Sequence, residues 1–230
     1  MKLYLYTLFI LLNIATCKSQ NFLYSWGYSF GDTTNNAILE ISVDKAGNSI
    51  SVGKFSNQIT LGRGNPVILQ ALGSVDFYIL KSDPDGNVIW LKQFQIGGFS
   101  TPEQLKTDVD GNIYVLGRFD TTVDFDPSPI TDYNLTSSGN DLFILKLDSL
   151  GNFQFVRQVG AQYINNYTDI TIDNEKNIFF YGIFFSAINV ASAPGFSMTT
   201  DGNGYDLFIF KFDSTGTLEW GNQYPSSVSF

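Results

Sequence analysis

The feature that most constrains this chain is an internal period of about 65 residues, carried by several unrelated landmarks at once. The segments beginning Asp76-Phe77-Tyr78-Ile79, Asp141-Leu142-Phe143-Ile144 and Asp206-Leu207-Phe208-Ile209 lie 65 residues apart. Gly53, Gly117 and Gly182 close a second family of segments at spacings of 64 and 65, and Trp26, Trp90, Phe155 and Trp220 keep the same beat. A repeat of this kind is one supersecondary unit. It cannot bury its apolar faces alone and must stack on its neighbours.

Each unit reads as four short strands. Asp141 to Leu147 is almost entirely apolar, as expected of a strand covered on both faces. It meets Asp148-Ser149-Leu150-Gly151, a turn with Asp first and Gly fourth, after which Phe153-Gln154-Phe155-Val156 returns. Asp83 with Gly86, Asp108 with Gly111, and Asp213 with Gly216 mark equivalent turns. In the third unit Lys176 replaces the turn glycine, so that turn must either strain or change type. The connections of roughly twenty residues contain aligned fragments (Ile59-Thr60-Leu61, Val123-Asp124-Phe125, Ile188-Asn189-Val190). Their alternation predicts that the second strand runs on, ending near Pro129 or Pro194. No stretch after the first nineteen residues carries a helical apolar period.

The pattern D-x-x-G-N-x-x-x-x-G, then D-x-F-I-x-K-x-D-x-x-G-N ending in Trp, resembles the bacterial β-propeller repeat known as SBBP, over nearly all of Trp26 to Tyr224. The Val123-Asp124-Phe125-Asp126-Pro127 stretch is similar to a variant found in secreted bacterial proteins. The resemblance implies four-stranded antiparallel blades around an axis on an extracellular protein, and brings no catalytic residues with it. The expected fold is all-β, about three blades of a propeller, a partial and open arc, with a β-trefoil as the competing three-repeat architecture. Counted from the aromatic anchors, the units are 26–89, 90–154 and 155–219, with 220–230 opening a further one. Closed propellers have four to eight blades, so the arc is either a truncated product or closes by self-association through its open edges.

Residues 1–19 read as an export signal. Lys2 precedes an apolar run from Leu3 to Ala15, too short to span a bilayer comfortably, and Cys17 and Ser19 would allow cleavage before Gln20. Cys17 is the only cysteine, so no internal disulfide forms; Leu12 to Cys17 also loosely resembles a lipobox, although Thr16 departs from it. The expected location is the secreted or cell-surface space. A net charge of −9 with no basic groove argues against nucleic acid.

The chain has no histidine, which removes the commonest general base and metal ligand and leaves carboxylate chemistry. Asp83 to Asn87 and Asp108 to Asn112 superficially resemble calcium loops, but Lys81 and Lys92, then Lys106 and Gly117, occupy the first and twelfth positions, so both read as turns. The densest acidic cluster, Asp120, Asp124, Asp126 and Asp132, is the candidate calcium site, although sister units do not repeat it. Lys81, Lys146 and Lys211 recur within apolar strands, and Asp76, Asp141 and Asp206 recur with them. Five residues apart on one strand they cannot touch, which points to partners on neighbouring strands. The expected function is a non-catalytic scaffold or interaction module, binding protein or glycan at the rim loops, with no cofactor beyond calcium. A carbohydrate-binding module using Tyr163, Tyr167 or Tyr205 is the first alternative, and a carboxylate glycosidase the second.

Overall fold

The computed structural model describes residues 36–96, 101–137, 139–164, 168–202 and 204–225. The proposed signal, Cys17 and Trp26 lie outside the described residues. The first repeat forms β1 (Ala37–Val43), β2 (Ser49–Phe55), β3 (Gln58–Leu61), β4 (Val67–Gln70), β5 (Val75–Ser82) and β6 (Val88–Ile96). The second forms β7 (Thr101–Thr107), β8 (Ile113–Phe119), β9 (Thr122–Asp124), β10 (Asn134–Thr136), β11 (Asp141–Leu147) and β12 (Phe153–Ile164). The third forms β13 (Asp169–Ile172), β14 (Ile178–Val190), β15 (Ser197–Thr199), β16 (Asp206–Phe212) and β17 (Leu218–Tyr224).

Every repeat is an antiparallel four-stranded blade: β1-β2-β5-β6, β7-β8-β11-β12 and β13-β14-β16-β17. The fold is therefore all-β and propeller-like, and the trefoil reading is set aside, because each repeat forms one meandering sheet stacked on the next. The first strands converge on one edge. Ser42 on β1 and Thr107 on β7 share a 3.0 Å hydroxyl hydrogen bond, and Thr168, just before β13, donates at 2.9 Å to Glu103 on β7. Lys106 and Asp169 form an ion pair at 3.7 Å across the same seam.

The structure phases the blades differently from a count starting at the tryptophans. Trp90, Phe155 and Trp220 lie in β6, β12 and β17, the last strand of each blade. Leu218–Tyr224 thus completes the third blade instead of opening a further one, since it pairs with β16 from Leu207 to Phe212. The connection after the second strand departs from the expected run-on in two blades and agrees with it in the third. In the first two blades that strand breaks, and the fragment returns as a separate hairpin, β3–β4 or β9–β10. In the third, β14 runs through to Val190 and pairs with β15. Asn57 and Ser186, two residues past the equivalent Phe55 and Phe184, take positive φ angles of 65° and 74°, which turns the chain there.

Two apolar cores lie between blades. Phe77, Ile79 and Phe94 of the first blade meet Val115, Phe119, Phe143 and Leu145 of the second. Tyr114, Leu142, Ile144 and Phe155 of the second meet Phe180, Phe184, Phe208 and Phe210 of the third. Phe77 stacks on Phe94 at a centroid distance of 4.4 Å and reaches Phe143 across the interface at 6.1 Å. A fully buried phenylalanine contributes roughly 1.5–3 kcal/mol, so these layers dominate the stability of the arc.

The recurrent glycines of the second strands have a packing cause. The ring of the third-strand aromatic lies over each one: a Cβ on Gly117 would sit 2.5 Å from Phe143 and 2.6 Å from the Thr101 carbonyl oxygen, and Gly53 and Gly182 face Tyr78 and Phe208 the same way. Gly117→Ala is therefore expected to lower stability by about 1–3 kcal/mol. Gly139→Ala, which meets nothing within 4 Å, serves as the control and leaves stability unchanged. Urea unfolding of the two variants makes the comparison; equal stability would remove the packing explanation.

Candidate functional site

Antiparallel meandering puts the tight turns at one end of each blade and the inserted hairpins at the other. At the turn end, Gly86, Gly111, Gly151 and Gly216 take φ angles of 79° to 85°, and each N–H donates to the carbonyl of Asp83, Asp108, Asp148 or Asp213 at 2.9–3.0 Å. Asp83 Oδ1 accepts the N–H groups of Asp85 and Asn87, and its Oδ2 accepts the Asn87 amide. Asp108 and Asp148 repeat this with Asn112 and Asn152, and Asp213 does so with Thr215 and Thr217. Lys176 keeps the same turn by adopting a φ of 67°, and its ammonium bridges to Asp110 of the second blade. The outcome is strain with an unchanged turn type.

These carboxylates are used up by the backbone. Burial opposes ionisation of Asp108, Asp148 and Asp213, yet hydrogen bonds from the turn outweigh it and hold all three below the usual carboxylate range. Tyr114 is pushed upward by burial first and then by Asp108, to which its hydroxyl donates at 3.0 Å.

The turns also receive the preceding blade. Ser149 O accepts Lys81 Nζ at 3.3 Å and Trp90 Nε1 at 3.2 Å; Ser214 O accepts Lys146 Nζ at 2.8 Å, and Arg157 Nε donates to Gly216 O at 2.6 Å. The lysines therefore do not pair with Asp76, Asp141 and Asp206. Lys81 pairs with Asp44 of the β1–β2 turn at 3.0 Å, Lys146 lies over Tyr114 and Phe155, and Lys211 pairs with Glu219 at 2.7 Å.

Asp76, Asp141 and Asp206 work at the opposite end. Gln93, Gln158 and Gln223 donate from the last strand to these three carboxylates at 2.6–2.7 Å. Each glutamine also donates to a carbonyl at the end of the inserted hairpin: Gln70 O, Thr136 O or Thr199 O, at 2.7–3.1 Å. One Asp–Gln clasp per blade therefore fixes where a hairpin leaves the frame. The glutamines keep the 65-residue spacing, so the repeat itself held the signal that reading the charged residues alone missed.

The hairpins carry what varies. The first exposes Val67, Ile68 and, just beyond it, Leu72; the second exposes Ile130 and Tyr133. A groove of about 390 Å³ separates the first blade (Gly73, Ser74, Gln95, Ile96) from the outer side of the second hairpin (Thr122, Asp124, Asn134).

The candidate calcium cluster is not assembled. Asp124 Oδ1 accepts the N–H groups of Asp126 and Tyr133 at 3.0 and 2.7 Å, and Asp126 accepts Ser128 N–H and the Thr131 hydroxyl at 2.9 and 2.6 Å. Asp120 and Asp132 do not join them: among the described residues no three His, Cys, Asp or Glu side chains gather as a metal site. The two acids shape the loop through these hydrogen bonds. Of the tyrosines, Tyr205 packs on Phe185 at 5.6 Å, Tyr163 stands opposite Phe185 in the β12–β14 register, and Tyr167 lies outside the described residues.

No family model matches the chain. Over 118 residues, 50% of this chain, it is 28% identical to an uncharacterized WD repeat-containing protein of Acanthamoeba polyphaga mimivirus, and it covers 8% of that protein's length. The likeness agrees with stacked four-stranded blades.

Asp44 gives the turn end a pH dependence. Burial opposes its charge, but hydrogen bonds from the Asn48 side chain, Lys81 and the Asn48 N–H bring it from 3.8 down to about 2. A depressed acid stabilises the fold above its unfolded value and loses that contribution as pH falls through the folded value. The melting temperature is thus expected to drop between pH 4 and pH 2. Asp44→Asn flattens that drop, and at neutral pH it costs roughly 2–4 kcal/mol by leaving Lys81 without its carboxylate. Thermal melts of both proteins across this range test the assignment, and an unaltered pH slope in the variant refutes it.

Proposed function

We propose that this chain is a non-catalytic interaction scaffold of the SBBP type, exported to the cell exterior, that presents its inserted hairpins to a protein partner. The observation that carries the reading is the contrast between frame and hairpin. The Asp–Gln clasp and the Asp–Gly turns recur blade after blade, while the hairpins they hold differ in length and sequence. Rigid frames with variable loops place binding at the loops.

The apolar content of the hairpins favours protein over glycan. Ile130, 87% exposed at a hairpin tip, stands with Tyr133, while Ile68 and Leu72 stand on the neighbouring hairpin. Propellers related to WD repeats generally act by protein contact, which agrees with this choice. The turn carboxylates, saturated by backbone donors, are held as structural anions, and this supports a role without acid–base chemistry. The export assignment rests on the Lys2 and Leu3 to Ala15 pattern.

Photo-crosslinking from two positions tests the reading. Benzoylphenylalanine in place of Ile130 is expected to give a discrete protein adduct on producing cells, whereas Leu150, exposed at the turn end, gives none. Equal adducts from both positions, or hydrolysis of a glycan by the purified chain, would sink it.

A further inference from the structure

Asp132, which does not join Asp124 and Asp126, opens a five-residue segment with a chemical meaning of its own. The run Asp132-Tyr133-Asn134-Leu135-Thr136 contains Asn-x-Thr with leucine in the middle, the acceptor signal for N-linked glycosylation. An acid two residues before the asparagine is the extension that bacterial oligosaccharyltransferases read, and Asp132 stands there. The other Asn-x-Thr, Asn166-Tyr167-Thr168, has Ile164 at that place, and Asn166 lies outside the described residues.

The fold presents Asn134 as such an acceptor must be presented. Asn134 is exposed on β10, and β10 pairs only with β9, so among the described residues its far edge is open. Leu135 packs on the core between the first two blades, and strand alternation then turns Asn134 and Thr136 outward. The turn asparagines are consumed: Asn48, Asn87, Asn112, Asn152 and Asn177 each donate an amide hydrogen to an aspartate. The Asn134 carboxamide makes no such bond among the described residues, which leaves its nitrogen available.

The surroundings suit a sugar. On the outer side of the hairpin lies the groove of about 390 Å³ towards the first blade, which Asn134 lines together with Ser74, Gln95 and Thr122. These side chains offer hydroxyl and amide groups, and neither lysine nor arginine lines the groove. Small-ligand sites run from roughly 300 to 1,000 Å³, so there is room for the first pyranose ring.

We propose that Asn134 carries an N-linked saccharide, attached outside the cytoplasm; this rests on the export half of the reading above. In the transfer step the Asn134 amide nitrogen attacks C1 of an oligosaccharide joined to a lipid pyrophosphate. The new N–C bond replaces the C1–O bond, and the lipid pyrophosphate leaves with the bonding pair. The amide proton passes to a basic group of the transferase, and nothing is oxidised or reduced. The saccharide is a covalent attachment and not a ligand, and Ile130, four residues earlier at the hairpin tip, stays free for the protein partner.

Mass spectrometry of the full chain from the extracytoplasmic fraction of its producing cells tests the proposal. The peptide containing Asn134 is expected to carry an added mass of whole sugar units. Asn134→Gln and Thr136→Ala each abolish it, Thr136→Ser retains it, and the circular dichroism spectrum is unchanged in all three. Should Asn134→Gln fail to fold, the two Thr136 variants decide alone. A bare Asn134 in the exported chain overturns the proposal and leaves export standing. A sugar mass on that peptide that survives Asn134→Gln sits on a hydroxyl such as that of Thr131, and also overturns it. A chain confined to the cytoplasm overturns export and this proposal together. A glycosylated chain that yields no crosslinked partner upholds this proposal and overturns the scaffold reading.

Discussion

A single blade of this protein is a sheet with two apolar faces, and its own inserted hairpin covers only one of them. Phe77 and Ile79 point one way from β5, Tyr78 and Leu80 the other, and all four are buried. Hydrophobic burial is non-directional and scales with area, so the only answer available to a chain of such sheets is to stack them. Most of the other features follow from that stacking. The second-strand glycine is required because a third-strand ring must lie flat enough to meet the neighbouring blade. The lysine within an apolar strand is tolerated because its ammonium emerges at the adjoining turn, where a carbonyl or carboxylate receives it.

The acidic residues divide into two structural populations at opposite ends of the strands. At the turn end, aspartate replaces missing backbone partners: its two oxygens take N–H groups at the second and fourth following residues and an asparagine amide. At the hairpin end, aspartate is bridged to the last strand by glutamine and ties an insertion to the frame. Both arrangements satisfy buried or half-buried polar atoms that would otherwise cost about 1–3 kcal/mol each. Together they explain how so acidic a chain folds without gathering its carboxylates into a metal site among the described residues.

The same physics separates frame from variable surface. Positions facing a neighbour are held to a narrow choice, since ring, glycine and turn must fit one another in three blades. Positions on the outer side of the inserted hairpins face solvent, and there the repeats diverge freely. In the third blade the inner face is packed with Phe180, Phe208 and Phe210, while Tyr181 and Leu207, on frame strands of its outer face, are exposed.

The sequence by itself determined the period, the strand and turn order of each blade, and the identity of the turn residues. These are local matters of apolar alternation, of the φ that glycine permits and of what Asp can accept within four residues. Lys176 was already visible as a turn that must either strain or change type, for the same reason. Only the tertiary structure decided the phase of the blades, the partners of Lys81 and Lys146, the fate of Asp124 and Asp126, and the return of each connection as a hairpin. Each depends on contacts between segments far apart in the chain: Trp90 belongs to the blade before it because β6 pairs with β5, and Lys146 finds Ser214 only across a blade interface. Spacing along a chain records which residues recur, whereas which of them meet is settled by how one sheet lies upon the next.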